Sequence, residues 1–153
     1  RVFKNAGVDF FKECRKAKIE STIKRWPFVY VYERADFSTK LFGAIIYPEH
    51  VKRALEHESL QKFVTGKFSM YTEVDKNQNQ YLQIHLEMRH GVRESRELAK
   101  RSLRLIVESL NKNNAEYKNN YEMIKEKVTP KLSFWTYEHQ NYFKPGTKQK
   151  YII

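Results

Sequence analysis

Histidine and cysteine, which often bind metals or act in catalysis, are few and scattered in this sequence. The chain has five histidines and a single cysteine, Cys14. His85 lies in an alternating stretch that is typical of a strand, His90 follows at its end, and no two histidines have the helical spacing of a metal site. We therefore predict no metal site and interpret the histidines as solvated or packed side chains.

Motifs for nucleophilic catalysis and phosphate binding are also missing. Nothing in the sequence places a base near Cys14, and neither a Gly-x-Ser-x-Gly turn nor a Walker-type phosphate loop occurs. A lone cysteine cannot form an intrachain disulfide. This favours a structural thiol and a reducing, cytoplasmic setting.

Two stretches have side chains that suggest a function. Residues 33–51 place Arg34 and Asp36 in a charged turn between two strands. Residues 143–152 form a Pro-Gly turn that presents lysines from a short tail. From composition alone, the first stretch is typical of a solvated turn with a local ion pair, and the second of an ordinary basic C-terminus.

The composition indicates a folded domain with a positive surface. Of 153 residues, 41% are hydrophobic and 31% charged, which excludes a disordered chain. Lys and Arg number 29 against 18 Asp and Glu, a net charge of +11 that favours anionic partners such as phosphates, nucleic acid or acidic lipid. The longest apolar run, residues 41–47, is far shorter than the roughly 20 residues of a membrane-spanning helix. We expect no such helix.

The apolar pattern predicts both strands and helices. Residues 1–26 are interpreted as a connecting segment, followed by strands at residues 28–32 and 41–46 and a helix that begins at Pro48. The apolar face of this helix consists of Val51, Ala54 and Leu55. The alternating pattern of residues 67–89 predicts a hairpin with one buried face. Its second strand contributes to this face Leu82, Ile84, Leu86 and Met88.

Two further helices and a strand complete the predicted fold. The helix over residues 95–111 has an inward stripe at Ala99, Leu103, Ile106 and Leu110, and the next has Tyr117, Tyr121, Ile124 and Val128 at helical spacing. A strand is predicted over residues 131–137. The fold class is α+β, a ferredoxin-like β-α-β-β-α-(α)-β layer with helices on one face of a mainly antiparallel sheet.

The first stretch resembles the hinge and the first strand and helix of the C-terminal domain of adenylate-forming enzymes, the acyl-CoA synthetase superfamily. The matching residues are Arg34-x-Asp36, Lys40, Gly43, Ile46-Tyr47-Pro48-Glu49-x-Val51 and Leu55. The sequence is most similar to a branch with phenylacetate–CoA ligases, adenylate-forming relatives from capsule gene clusters and auxin-conjugating acyl-acid amido synthetases. Asn114-Ala-Glu-Tyr117, after a long amphipathic helix, is similar to the last group.

The resemblance implies a two-step reaction and roles for three residues. ATP and a carboxylic acid form an acyl-adenylate, and CoA or an amine then displaces AMP. Asp36 aligns with the hinge about which the small domain swings, and Arg34 with a residue that approaches the nucleotide ribose. Lys148 aligns with a tail lysine that neutralises charge during adenylation, and the nearby Lys150 is the alternative. The sequence departs from the family pattern at Glu33, where a Gly is usual, and at Thr147, which separates Gly146 from the lysine.

The resemblance also implies a domain organisation. Residues 1–33 are expected to be a linker and strand leading from an absent N-terminal adenylation domain, and residues 34–153 the small C-terminal domain. The phosphate loop and acid pocket of that larger domain are missing, and the chain begins with Arg1, so we expect part of a larger ligase that is inactive alone. ATP and Mg²⁺ would be bound mainly by the N-terminal domain.

The expected partners are that adenylation domain, a nucleotide and a carboxylic acid substrate, and no membrane. The alternative function is a basic nucleic-acid-binding α+β module, for which the charge and the strand order are suitable. The aromatic signature of an RNA-binding sheet is missing, since Gly66-Lys67-Phe68 is only a fragment of it. A ligase domain is therefore favoured.

Overall fold

The computed structural model describes residues 6–23 and 37–153. The chain divides into two compact units, Arg1–Tyr32 and Glu33–Ile153. The strand predicted at residues 28–32 lies outside the described residues.

The first unit contains a short helix, α1 (Phe10–Lys16), and a 3-10 turn at Glu20–Thr22. The carboxylate of Asp9 accepts a hydrogen bond from the Lys12 N–H (3.1 Å) and caps the helix. Cys14 is buried on its inner side. Residues 1–26, interpreted from the sequence as a connecting segment, thus include a helix, because a capping residue and apolar side chains at helical spacing outweigh the local charge. Their role as a connection between domains stays a prediction.

In the second unit, the first element of the described residues is a tight hairpin of β1 (Thr39–Leu41) and β2 (Ala44–Ile46). Phe42 and Gly43 form its turn, with positive φ angles of 48° and 84°. Both angles fit a type I′ turn, which suits a two-residue hairpin. The prediction of a single strand over residues 41–46 is wrong, because this turn reverses the chain within an apolar run.

The predicted helix at Pro48 is confirmed as α2 (Pro48–Leu55). Proline occupies the first turn, where its missing N–H breaks no hydrogen bond. Val51, Ala54 and Leu55 are buried, as expected. A one-turn helix, α3 (Glu58–Gln61), follows.

The predicted hairpin is confirmed and forms most of a three-stranded sheet. Strand β3 (Val64–Val74) pairs antiparallel with β4 (Gln80–Met88), and β4 pairs parallel with β5 (Lys131–Trp135). The strand order β3-β4-β5 puts β4 in the centre.

Helices α4 (Arg96–Asn113) and α5 (Ala115–Val128) correspond to the two predicted helices. Asn114 ends the first, and its side chain accepts a hydrogen bond from the Tyr117 N–H (2.9 Å) at the start of the second. The predicted inward stripe of α4 is only partly right. Ile106 and Leu110 are buried, but Ala99 and Leu103 are half-buried. The buried face is shifted by about one residue and comprises Leu98, Ser102, Leu105, Ile106, Val107 and Leu110.

The main core lies between the helices and one face of the three-stranded sheet, which we call the helix-covered face. Its side chains from β3 and β4 are fully buried: Phe68, Met70, Leu82, Ile84 and Leu86. The packing of these residues with the helices confirms the α+β class with helices on one sheet face. In the described residues, 6–23 and 37–153, no helix has both the length and the apolar character needed to cross a membrane.

The opposite face of the sheet is also covered, which corrects the prediction of one buried face. On β4, Gln83 is 9% exposed, His85 4% and Glu87 0%. We call this the tail-covered face and define it by Ser69, Tyr71, Gln83, His85 and Glu87. Its cover is the C-terminal segment, residues 136–153. The alternation of apolar residues cannot reveal a cover that comes from so far along the chain.

Candidate functional site

The C-terminal segment is attached to the tail-covered face by contacts along its length. The Glu138 N–H donates a hydrogen bond to a Glu87 carboxylate oxygen (2.9 Å), and the Tyr142 ring stacks on His85, with centroids 4.4 Å apart. Further on, the N–H of Met70 donates to the Tyr151 carbonyl (2.7 Å). This bond extends the free edge of β3, so the segment closes that edge of the sheet as well as its face.

Glu87 is a buried carboxylate that holds strand and segment together. Besides the Glu138 N–H, it accepts a hydrogen bond from the Thr65 hydroxyl (2.6 Å), and the Lys67 ammonium lies 3.5 Å away. A buried carboxylate is tolerated only where donors and a counter-charge replace its lost water. Glu87 has both and is therefore a structural anchor.

His85 lies in a cluster of rings formed by Tyr71, Trp135 and Tyr142. The indole N–H of Trp135 donates to His85 Nδ1 (2.7 Å). Since an indole can only donate, Nδ1 accepts, and the neutral ring carries its proton on Nε2. Burial lowers the pKa of His85, which favours the same neutral form. This Nε2 is buried and has no hydrogen-bond partner among the described residues.

Ser69 lies directly opposite His85 in the pairing of β3 with β4. It is only 2% exposed, and within residues 6–23 and 37–153 nothing forms a hydrogen bond with its hydroxyl. Buried polar groups are nearly always satisfied, by protein, by water or by a ligand. Two neighbouring residues of the tail-covered face therefore each have a buried polar atom that lacks a protein partner in the described structure.

An open pocket of about 470 Å³ lies between the sheet and the C-terminal segment. Ser69 and Tyr142 contribute to its wall. Four lysines also line it, and no Asp or Glu is among its described lining residues; we call it the lysine pocket, with the lysines Lys67, Lys144, Lys148 and Lys150. Several cations around one concave surface, without acidic residues, favour an anionic ligand.

The structure brings together two of the four residues singled out from the sequence. Lys148 and Lys150 are exposed and line the lysine pocket on either side of Gln149, whose side-chain amide donates to the Phe68 carbonyl. Arg34 and Asp36 lie outside the described residues, so their predicted roles stay predictions. In the described part of the chain, no group of three or more His, Cys, Asp or Glu side chains could hold a metal ion.

Sequence reasoning missed Lys67, Ser69 and His85 as members of a site. Their positions on two strands reveal nothing until the C-terminal segment is placed over them. The available signal is the aromatic content after the last strand, where Tyr142 and Phe143 follow Trp135. An aromatic segment beyond the last strand indicates that it packs against the domain.

No family model matches the chain, and no curated protein matches it. Among solved structures, the chain is similar to an acyl-CoA synthetase from Brucella canis, with a TM-score of 0.44 and 16% sequence identity. The match covers 77% of this chain and 18% of the synthetase. The chain therefore spans less than a fifth of that protein's length, and the likeness is distant.

Proposed function

We propose that this chain is the mobile C-terminal domain of an ATP-dependent carboxylic acid ligase of the adenylate-forming superfamily. The proposal rests first on the sequence resemblance at residues 34–55. The α+β architecture agrees with it. The observation that carries the proposal furthest is the position of Lys148 and Lys150, exposed at a concave surface without acidic residues in its described lining.

In the proposed reaction, the tail lysine acts during adenylation. A carboxylate oxygen of the acid attacks the α-phosphorus of ATP, the bond to the pyrophosphate oxygen breaks, and pyrophosphate leaves with the electron pair. Negative charge builds up between carboxylate and α-phosphate, so a preorganised cation lowers the barrier. Lys148 is assigned this role, with Lys150 as the alternative.

The second step would not need the tail lysine. The thiol of CoA or an amine attacks the acyl carbon, and AMP leaves. In the proposal, the small domain turns about Asp36 between the two steps, and Arg34 approaches the nucleotide ribose in one pose. Mg²⁺ and most of the ATP contacts belong to the N-terminal adenylation domain of the longer protein, whose further partner is the carboxylic acid substrate.

The contacts of the C-terminal segment suit such a role. Lys148 lies between Phe143, which is buried, and Tyr151, whose carbonyl bonds to the β3 edge. The side chains from Lys144 to Lys148 are exposed. The exposed stretch between these two attachments leaves its lysines accessible to a second domain.

The alternative of a nucleic-acid-binding sheet is less favoured. RNA-binding sheets stack bases on open aromatic rings. Here the rings of Tyr71 and Trp135 are part of a cluster with His85 and Tyr142. These rings stack on one another and are half-buried around the buried His85, so they are not an open stacking surface, and the positive charge is the main remaining argument for nucleic acid.

The decisive experiment uses the longer protein with its adenylation domain. Lys148→Ala should slow pyrophosphate release by roughly 10²–10³-fold, the usual effect of removing one preorganised donor. Transfer from preformed acyl-adenylate should be unchanged. Lys100→Ala, an exposed lysine of α4, is the control. If Lys150→Ala slows pyrophosphate release and Lys148→Ala does not, the catalytic lysine is Lys150. If neither variant is slowed, the tail is not catalytic.

The hinge is tested by Asp36→Pro in the same protein. Proline fixes the φ angle that a hinge must change, so one half-reaction should suffer much more than the other. Adenylate formation and acyl transfer are measured separately. Equal loss of both would count against a hinge at this residue.

A further inference from the structure

The lysine pocket has features that catalysis by Lys148 does not require. A tail lysine that acts in the active site of another domain needs no partner on its own domain. Here Lys148 and Lys150 converge with Lys67 and Lys144 around the same pocket. The described lining has no carboxylate, so the local potential is positive and attracts an anion.

The pocket also contains a buried group that lacks a partner. Ser69 is one of its lining residues, and the Ser69 hydroxyl is buried and has no hydrogen-bond partner among the described residues. Since a buried hydroxyl without a partner is unfavourable, the structure here suits an added oxygen or nitrogen atom. These are independent observations: the lysines indicate an anion, and the hydroxyl can donate a hydrogen bond to it.

The side chains around the pocket suit a phosphate group in particular. Lysine ammonium groups and hydroxyls are common phosphate ligands, and the described lining has no carboxylate to repel a dianion. One ammonium, that of Lys67, is shared with Glu87 (3.5 Å), which fixes its position. The volume of about 470 Å³ is within the range of small-molecule sites and exceeds what inorganic phosphate fills.

We propose that the lysine pocket binds the phosphate group of a small phosphorylated ligand, with Ser69 as a hydrogen-bond partner and the lysines as counter-charges. The site lies within the 37–153 part of the chain and needs no second domain. Bound phosphate would hold Lys148 against the sheet. The site would therefore compete with any role of Lys148 elsewhere.

Binding is tested on the 153-residue chain by NMR titration with inorganic phosphate, at constant ionic strength maintained with potassium chloride. We expect saturable shifts confined to the Ser69 and Met70 amides and the tail amides near Lys148. A parallel titration with adenosine monophosphate shows whether an organic group adds affinity. Shifts that rise linearly and spread over the basic surface would overturn the proposal.

Two matched pairs of variants locate the site. Ser69→Ala should weaken phosphate binding about tenfold, the usual loss of one bond to a charged ligand, without lowering the melting temperature of the ligand-free chain. Ser102→Ala is the control, because Ser102 is also buried with an unpartnered hydroxyl among the described residues but does not line the pocket. Equal phosphate affinity of both variants would contradict the assignment.

The second pair keeps the net charge equal. Changing Lys148 and Lys150 together to alanine should weaken phosphate binding by at least about tenfold. Changing the exposed Lys100 and Lys127, which are outside the pocket lining, should leave it within about twofold. Equal losses would mean that only the overall charge matters, which would overturn the proposal.

Single-stranded RNA is the competing ligand. If RNA displaced phosphate at far lower concentration, with a steep dependence on salt, the pocket would be part of a nucleic-acid surface and the proposal would be wrong. The result is independent of the proposed ligase activity. Phosphate binding is measured on this chain alone, whereas pyrophosphate release is measured on the longer protein, so either can fail without the other.

Discussion

The two faces of the three-stranded sheet are buried by different means. The helix-covered face buries only apolar side chains from β3 and β4, and α4 and α5 pack with it. The tail-covered face buries a serine, a glutamine, a histidine and a glutamate beneath a segment without helices or strands of the sheet. The first arrangement stabilises the domain. The second retains polar groups that a stable core does not need, and two of them lack partners among the described residues.

This difference separates stability from function on one pair of strands. Neighbouring residues of a strand point to opposite faces, so Leu86 belongs to the core and Glu87 to the tail-covered face. Substitutions at adjacent positions should therefore have different effects on folding and on the position of the C-terminal segment.

The largest expected effect is on the helix-covered face. Leu86→Ala removes a fully buried side chain and should lower the free energy of unfolding by about 2–5 kcal/mol, since it leaves a cavity among packed neighbours. Urea unfolding of the 153-residue chain measures it. Val74→Ala, at the 47% exposed end of the same hairpin, should cost under about 1 kcal/mol. Similar costs for both would contradict the assignment of the core.

A smaller effect is expected at the neighbouring residue, Glu87, on the tail-covered face. Glu87→Gln keeps the shape of the side chain but removes the charge opposite Lys67. The new NH₂ group must also face a hydrogen-bond donor, the Thr65 hydroxyl or the Glu138 N–H. The free energy of unfolding should fall by about 1–3 kcal/mol. The exposed Glu122→Gln, whose carboxylate is 3.8 Å from Lys118, is the control and should change it by under about 0.5 kcal/mol. If the two variants unfold alike, Glu87 is not an anchor.

The sequence predicted the helix-covered face better than the tail-covered one, for a physical reason. Alternation in residues 67–89 and the helical period around Tyr117 are local signals, and local hydrogen bonding forms those elements. The hydrogen bond that covers Glu87 comes from the Glu138 N–H, and the ring that stacks on His85 comes from Tyr142. No periodicity specifies contacts over such separations.

The same reasoning explains the errors and the partial success at the site. A two-residue turn at Phe42 and Gly43 is too short to interrupt an apolar run visibly. The tail lysines were predicted through a resemblance. Ser69 could not be predicted from the sequence, because it was singled out by the missing hydrogen-bond partner of its buried hydroxyl. Arg34 and Asp36 remain predictions.

The smallest expected effect is a pH dependence. Burial lowers the pKa of His85 below its ordinary value near 6.5, so below that pH the unfolded chain binds more protons than the folded chain. The free energy of unfolding should therefore rise with pH up to about 6.5 and fall on acidification. Urea unfolding across this range should show a shallower rise for His85→Gln. An unchanged slope would mean that His85 does not contribute.

His50 contributes in the same sense over this range. Asp75, whose pKa is lowered by hydrogen bonds from Asn79 and Asn77, adds a rise only at more acidic pH. Burial, with the nearby Arg53 cation, lowers the pKa of His50, and its Nδ1 accepts a hydrogen bond from the Tyr47 N–H (3.3 Å), which requires an unprotonated Nδ1. Changing both histidines to glutamine should remove most of the rise.

Amide hydrogen exchange most directly tests whether the C-terminal segment leaves the edge of β3 while β3 and β4 stay paired. The Met70 N–H bonds to Tyr151 in the C-terminal segment, whereas alternation along β3 points the flanking Ser69 and Tyr71 N–H groups to β4. We predict that the Met70 amide exchanges at least about tenfold faster than its neighbours, after correction for intrinsic rates, and that phosphate slows it selectively. Equal protection of all three amides, with no response to phosphate, would contradict a C-terminal segment that leaves the edge of β3 while β3 and β4 stay paired.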